Sequence, residues 1–457
     1  MVLALLALGA TSGASAQDSE LRLFAEPISY TDVADAFDEQ DAFDLNVTLG
    51  YRRSLTTGTI QREINGDAVR DGRGSANFID IAEHRHLRNV LELGLEAGLF
   101  HDLAFFARLP IVLSDDRELQ SLDSADGRLA ANTVLLTRDP GGADVPLFNT
   151  AFQAPTRSGL EEVELGLAWS VFNQHREPEV PTWVLRVSGQ FSIGEPMHAC
   201  HESEDYGDDA ATPSPENWRC NVAQDAGISQ GTNGLHLETR TSWRLRYIEP
   251  FAGLSFQIGW PGSSDDLFSP GGDLSGFMNT IPPLVGEMTA GAAIVPWEHR
   301  SRWQRFVVDL RLTGTYISEG HGYSPLFDAL GTSDSEYLRT PNQECPGCAR
   351  QVPFTGLTDM ESHGRIGGHL ALEMQAAKYV KFVAGGSLYY TTPYVITFAD
   401  ACNPNVDPDG ASDPRQGTCR SGIINPHHRS VIDLPGSRFR VNGELTFDLS
   451  ASAVAQF

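Results

Sequence analysis

Along much of the chain apolar and polar side chains alternate with a period of two, the spacing that puts successive residues on opposite faces of a β-strand. The stretch Phe439 to Phe457 shows this most clearly. Its odd positions run Phe439, Val441, Gly443, Leu445, Phe447, Leu449, Ala451, Ala453, Ala455 and Phe457, while its even positions carry Arg440, Asn442, Glu444, Thr446, Asp448, Ser450 and Ser452. A strand this long at a sheet edge would leave a row of unpaired N–H and C=O groups. Closure into a barrel removes the edge. In lipid, the apolar face of such a strand then points outward and the polar face into a lumen.

Eleven further segments alternate in the same way. The first is expected from Phe43 to Arg52, and a hairpin turning at His101-Asp102 supplies the second (from Leu91) and the third (to Leu113). The others are expected near residues 162–171, 183–193, 235–247, 252–260, 287–295, 306–316, 365–375 and 380–390. Pro110 interrupts the third, and because proline cannot donate to the ladder, a bulge or an early end to pairing is expected there. Short connections (101–102, 173–181, 248–250, 298–303, 377–379) alternate with long polar ones (55–86, 115–158, 195–232, 261–284, 320–361, 400–434). With a periplasmic N-terminus, every short turn falls on one side and every long loop on the other. Trp183, Trp297, Trp303 and Tyr379 stand beside short turns, where an interfacial aromatic girdle belongs. The expected fold class is all-β: a transmembrane antiparallel up-and-down β-barrel of about 12 strands, with short periplasmic turns and long outer loops. A large soluble sandwich or propeller is the alternative, but long loops confined to one side are uncommon in compact soluble domains.

Composition narrows the picture further. Of 457 residues, 41% are hydrophobic and 20% charged, and beyond the N-terminal run no apolar stretch approaches the ~18 residues of a helical span. The net charge of −27 excludes nucleic acid as a natural partner, since phosphate binding needs clustered Lys and Arg. Residues 1–16 end Ala14-Ser15-Ala16 after an apolar run, as a secretory signal peptide does, although its charged n-region is missing. Residues 17–42 are acidic and aperiodic, a periplasmic extension or a plug; the barrel domain is expected over 43–457.

All six cysteines fall in the long loops, two to a loop: Cys200 with Cys220, Cys345 with Cys348, and Cys402 with Cys419. Six cysteines allow fifteen connectivities, and local pairing is expected because neighbouring thiols meet most easily. Cys345-Pro-Gly-Cys348 also has the shape of a redox or zinc half-site, but no second pair accompanies it. The loop holding Cys402 and Cys419 carries Asp407, Asp409 and Asp413 near a glycine, a weak Ca²⁺ candidate lacking the full calcium-loop signature. A solvated acidic loop is the plainer reading, and no cofactor is otherwise expected.

The polar faces are strongly ionic. Glu92, Glu96, Arg108, Glu164, Arg186, Glu238, Arg240, Arg244, Asp309, Arg311, Glu373, Lys381, Glu444 and Asp448 should line the lumen, either paired to fill it or arranged along a solute path. Arg240, Arg244 and Arg246 on the sixth strand would then face acidic residues elsewhere and set up a transverse field. His363 and His369 share a face of the tenth strand without an obvious nucleophile beside them, and no hydrolase motif is present, so no enzymatic activity is expected.

The terminal strand and its final Phe457 resemble those of bacterial outer-membrane β-barrel proteins. That resemblance implies recognition of Phe457 by the barrel-assembly machinery, a Gram-negative outer-membrane location and contact with outer-membrane lipid. The segment Gly159–Phe172 (GLEEVELGLAWSVF), followed by a turn and a strand ending in Ile193-Gly194, resembles outer-membrane transporters of aromatic or hydrocarbon degradation pathways. Channels of that broad group have fourteen strands and an N-terminal hatch, against twelve counted here. Passage of a small solute is the function expected. A closed structural or surface-interaction barrel and an outer-membrane hydrolase are the alternatives.

Overall fold

Alternation along each segment makes one strand face apolar, and twelve such strands meet edge to edge. The computed structural model describes residues 27–37, 44–64, 74–122, 136–138, 144–200, 226–262, 267–268, 276–333, 335–339, 354–406, 419–420 and 423–457. The barrel strands are β1 Leu45–Ile64, β2 Asn77–Phe100, β3 Leu103–Ser121, β4 Glu162–Phe172, β5 Thr182–Ser192 and β6 Thr232–Ser242. They continue with β7 Ile248–Pro261, β8 Val285–His299, β9 Gln304–Ile317, β10 His363–Ala377, β11 Val380–Thr391 and β12 Phe439–Gln456. Each pairs antiparallel with its chain neighbour, and β12 pairs with β1 from Asn46↔Gln456 to Arg62↔Phe439, closing the sheet. Three short strands, Phe152–Gln153, Arg157–Leu160 and Tyr394–Val395, add to the rim at the end that bears the long connections. This fold is the expected one, strand for strand.

The outer wall identifies the solvent. Leu49, Leu93, Leu165, Leu167, Leu237, Leu254, Leu310, Leu370, Leu388 and Leu449 are all exposed and form a continuous apolar belt. A water-soluble protein does not carry such a belt around its whole circumference, so it faces lipid. Exposed Trp169, Trp183, Trp243, Trp297, Trp303 and Tyr379 ring the turn end, and Tyr51, Trp260, Tyr316 and Tyr390 ring the loop end. The chain is a membrane-spanning barrel.

Three sequence expectations need correction. First, residues 55–64 and 77–86 are strand rather than loop: β1, β2 and β3 run 20, 24 and 19 residues. At ~3.3 Å per residue β2 extends roughly 80 Å, far more than lipid requires, so these strands rise above the membrane. There both faces can be polar, and the apolar alternation that marks a lipid-facing strand fades. Second, the short turn between β6 and β7 lies at 243–247, not 248–250. Arg246 sits in it with φ 62° and its guanidinium over the Tyr247 ring, outside the lumen. Third, Phe439 and Val441 do not share the lipid face of Leu445 and Phe447. A bulge where Gly443 (φ 65°) and Glu444 oppose one residue of β1 reverses the parity, and Phe439 and Val441 are buried inward. Pro110 behaves as expected: pairing of β3 with β4 stops at Arg108↔Glu164, and the β2 ladder slips a residue at Leu113.

At the loop end the long connections fold over the barrel mouth. Ile60, Ile81, Leu119, Phe439 and Val441 from the raised strands pack with Leu147, Phe148, Leu326, Leu330, Tyr394, Ile396 and Ile432 in one apolar core. A second cluster joins Met197, Leu267, Phe268, Phe327 and Leu357.

Candidate functional site: the lumen and its two closures

The turn end of the lumen is occupied by the chain's own N-terminal segment. Ile28 and Tyr30 are buried with Phe251, Ala293, Val295 and Val307. The Tyr30 ring lies 4.5 Å from Phe251, with the Arg240 and Arg311 guanidiniums 4.8 and 5.0 Å from its centroid. Arg240 also donates to the Tyr30 carbonyl at 2.9 Å. Ser29 donates to Glu373 (2.6 Å) and accepts from Lys381 (2.9 Å); Thr31 bonds Ser242 (2.7 Å), and the Ala34 N–H reaches Glu96 (3.4 Å). Gly253 makes room for all this: a Cβ there would meet the Tyr30 hydroxyl at 2.0 Å. Lower down, Ala36 bridges to His101, and Arg176 of the β4–β5 turn reaches Asp35 at 3.6 Å.

Most of the ionic residues expected to line the lumen are locally paired. Arg240 is held by Glu238 (2.6 Å), Arg244 by buried Glu249 (2.7 Å), Arg311 by Asp309, and Arg108 by Glu164 (3.4 Å). Arg186 lies over the Phe106 ring at 4.2 Å, and Glu444 accepts from Thr391 at 3.1 Å. Asp448 lies within electrostatic reach of His369. The transverse field expected from the sixth strand is therefore neutralised locally: Arg240 and Arg244 each have a carboxylate partner, and Arg246 is outside. Glu92 pairs with Arg52 at 3.0 Å, yet both side chains remain nearly half exposed (47% and 45%) while pointing inward. Inward-facing groups can be that exposed only where the bore holds space for water.

Two cavities occupy this middle region, sharing Arg88 and Gln230. One of 390 Å³ is bordered by Arg52, Glu161, Glu162, Gln190, Asn233 and Gln257. The other, 320 Å³, is bordered by Thr56, His84, His86, Arg117, Tyr323, Arg365 and Glu444. The sequence reading missed Arg52, His84, His86, Arg88, Asp115, Arg117 and Arg365 as lumen residues. Several lie in stretches read as loops, where only the continued period of two (His84, His86, Arg88) signalled a strand. Buried Asp115 accepts from His86 at 3.0 Å and Arg117 at 2.8 Å. His369 and Ser387 also form a pair the sequence did not reveal, Nδ1 to Oγ 2.8 Å across β10 and β11, within the lumen wall.

Above these cavities the cap is fastened by buried polar contacts. Arg157, fully buried, donates two hydrogen bonds to Asp328 (2.6 and 3.2 Å) and another to the His198 carbonyl; Asp328 in turn accepts from the Cys200 N–H. Burial pushes the His198 imidazole below its ordinary range, with Arg157 adding to the effect and Glu195 opposing it. Burial likewise drives the Asp433 carboxyl well above the usual carboxylate range, although it accepts main-chain N–H bonds from Arg429 and Ala399.

Of the expected disulfides, Cys402–Cys419 is formed, with Cα atoms 5.5 Å apart. Cys200 is disulfide-bonded as well. Cys220, Cys345 and Cys348 lie outside the described residues, as do Asp407, Asp409 and Asp413. Phe457 ends the barrel seam, exchanging main-chain hydrogen bonds with Leu45 (2.9 and 3.0 Å) while its ring stays exposed.

The chain matches no family model and no curated protein. Among solved structures it is similar to an outer membrane channel from Pseudomonas putida F1, at a TM-score of 0.40 and 9% identity over 94% of this chain and 99% of that one. A Pseudomonas aeruginosa FadL homologue gives 0.31 and 8%, covering 90% of each chain. The outer membrane protease OmpT from Escherichia coli gives 0.29 and 7%, over 91% and 97%. Channels and a protease stand side by side here, so the likeness selects no function.

Proposed function

We propose that this chain is a channel of the Gram-negative outer membrane for a small polar solute, shut at its periplasmic end by residues 27–36. One observation carries the reading. Tyr30 is clamped by Arg240, Arg311 and Phe251 below a bore whose middle still holds space for water. Besides a small apolar cluster with Phe251, the clamp consists of hydrogen bonds and cation–π contacts, which water and solute can replace at modest cost, unlike a covalent or fully apolar seal. The solute then passes along the Arg52–Glu92 and Arg88–Glu161 groups, whose paired charges suit polar molecules of low net charge. Outer-membrane lipid contacts the apolar belt, and the exposed Phe457 ring is the feature the assembly machinery reads. His369 and Ser387 serve the lumen wall and not catalysis.

Single-channel conductance in planar bilayers tests this, comparing the full chain with one lacking residues 17–36. Silence or rare brief steps in the first and steady current in the second are expected. Silence from both, with correctly folded barrels, would leave the closed surface-interaction barrel as the better reading, which the apolar core of the cap favours.

A further inference from the structure

The cap holds a cluster of metal-binding character that neither the barrel nor the solute path requires. A two-stranded ribbon, Gly320–Gly322 paired with Thr358–Met360, sets His321 directly opposite Asp359. Their side chains meet at 2.6 Å through His321 Nδ1, and both residues are buried. From the β11–β12 connection His427 comes in with its imidazole stacked on that of His321, ring centroids 3.8 Å apart and planes 4° from parallel. One donor atom from each of the three lies within 4.8 Å of the others. Both ring nitrogens of His427 are shut off from water and make no hydrogen bond of full geometry, with only the Asn279 and Phe268 main chains beside them.

Such an arrangement is costly for an imidazole with no further role. A buried polar group that makes no full hydrogen bond forfeits its hydration, and two stacked imidazoles gain little in return. We propose that His321, Asp359 and His427 bind one divalent transition-metal ion of the zinc type, tying the β9–β10 connection to the β11–β12 connection. The donor set is right for that class: two imidazole nitrogens and a carboxylate suit zinc and its neighbours, whereas calcium demands six or more oxygens. Without metal, His321 Nδ1 and an Asp359 oxygen share a proton across their 2.6 Å contact; an ion seated between them replaces that proton and takes both atoms as ligands. Ligands around tetrahedral zinc stand roughly 3.3 Å apart, given bonds of ~2.0–2.1 Å, so the three groups must draw together by up to about 1.5 Å and the stacked rings must turn out of parallel for their lone pairs to converge. Phe268 and Phe277 stand edge-on to the two rings and shield them from water. Asn279 holds the second Asp359 oxygen at 3.1 Å.

The test uses the full, untagged chain folded in detergent, stripped with chelator and titrated with Zn²⁺ and Co²⁺. One tight equivalent is expected, with the visible absorption of four-coordinate Co²⁺ and slower protease cleavage of the outer loops when metal is present. His427→Ala and His321→Ala should each weaken Zn²⁺ binding at least tenfold. Asp359→Asn, which removes the anionic ligand, should weaken it by at least ~10-fold. Heat-dependent gel migration of each variant checks that its barrel is formed. Absence of a stoichiometric equivalent, or binding unchanged in His427→Ala, would overturn the proposal. Residual binding in that variant that is displaced by Ca²⁺ would mark adventitious capture by the acidic loops.

Discussion

The two ends of the bore are built from different chemistry. At the turn end a single short segment, with Tyr30 in a turn, lies against ionic and hydroxyl side chains and a small apolar cluster. At the loop end several connections build a core of Leu, Ile and Phe resembling that of a small soluble domain. Dispersion and the hydrophobic effect make the loop-end core cooperative, so it holds together as a unit. The turn end is a set of separable polar contacts, replaceable by water, around a small apolar cluster at Ile28 and Tyr30. A barrel that must let something through without losing its outer surface would be built this way round.

Breaking the cap should therefore cost far more than loosening the segment. Arg157→Ala strands Asp328 as a buried charge and should cost about 3–5 kcal/mol of local stability. Hydrogen exchange of the amides around 326–332 should report it, while current stays low because the segment remains in place. Phe148→Ala removes a ring 5.6 Å from that of Phe439 and should cost about 3 kcal/mol, the low end for a core aromatic because loops relax around the gap. Tyr30→Ala removes the aromatic anchor, and a loss of about 2 kcal/mol, near thirtyfold in the open fraction, should appear as more frequent current steps. Gly253→Val should act in the same direction by driving the Tyr30 hydroxyl from its place. The smallest effect is expected of Ser29→Ala, about 1 kcal/mol for a pair of part-buried hydrogen bonds, read as a modest rise in the same events. If Tyr30→Ala left conductance unchanged while Arg157→Ala opened the bore, the assignment of roles to the two ends would be reversed.

Much of the barrel is visible in the letters of the chain. Lipid on one side and water on the other force every membrane-level residue to declare its face, and Leu91–Leu113 or Leu445–Leu449 do so without ambiguity. The rule fails where lipid ends. Residues 55–64 and 77–86 are paired strand, but water surrounds their outer face and the cap covers the inner one, so the polarity pattern no longer tracks direction. Phe439 and Val441 fail for a different reason: a glycine bulge shifts parity by one, and nothing in the spacing announces it. The site was partly readable. Glu238, Arg240, Asp309 and Arg311 could be placed in the lumen by parity, but their partners could not.

Sequence alone determined the strand number, the closure of β12 on β1 and the sidedness of the connections, because these follow from local alternation and from the rule that no backbone group stays unpaired in lipid. Tertiary structure alone decided that Tyr30 meets Arg240, that Arg157 meets Asp328, and that His321, Asp359 and His427 converge. Those residues lie 210, 171, 38 and 68 or more positions apart, or on unrelated loops. No local period encodes such meetings, since they depend on how a closed wall brings distant loops and a returning N-terminal segment into one enclosed space.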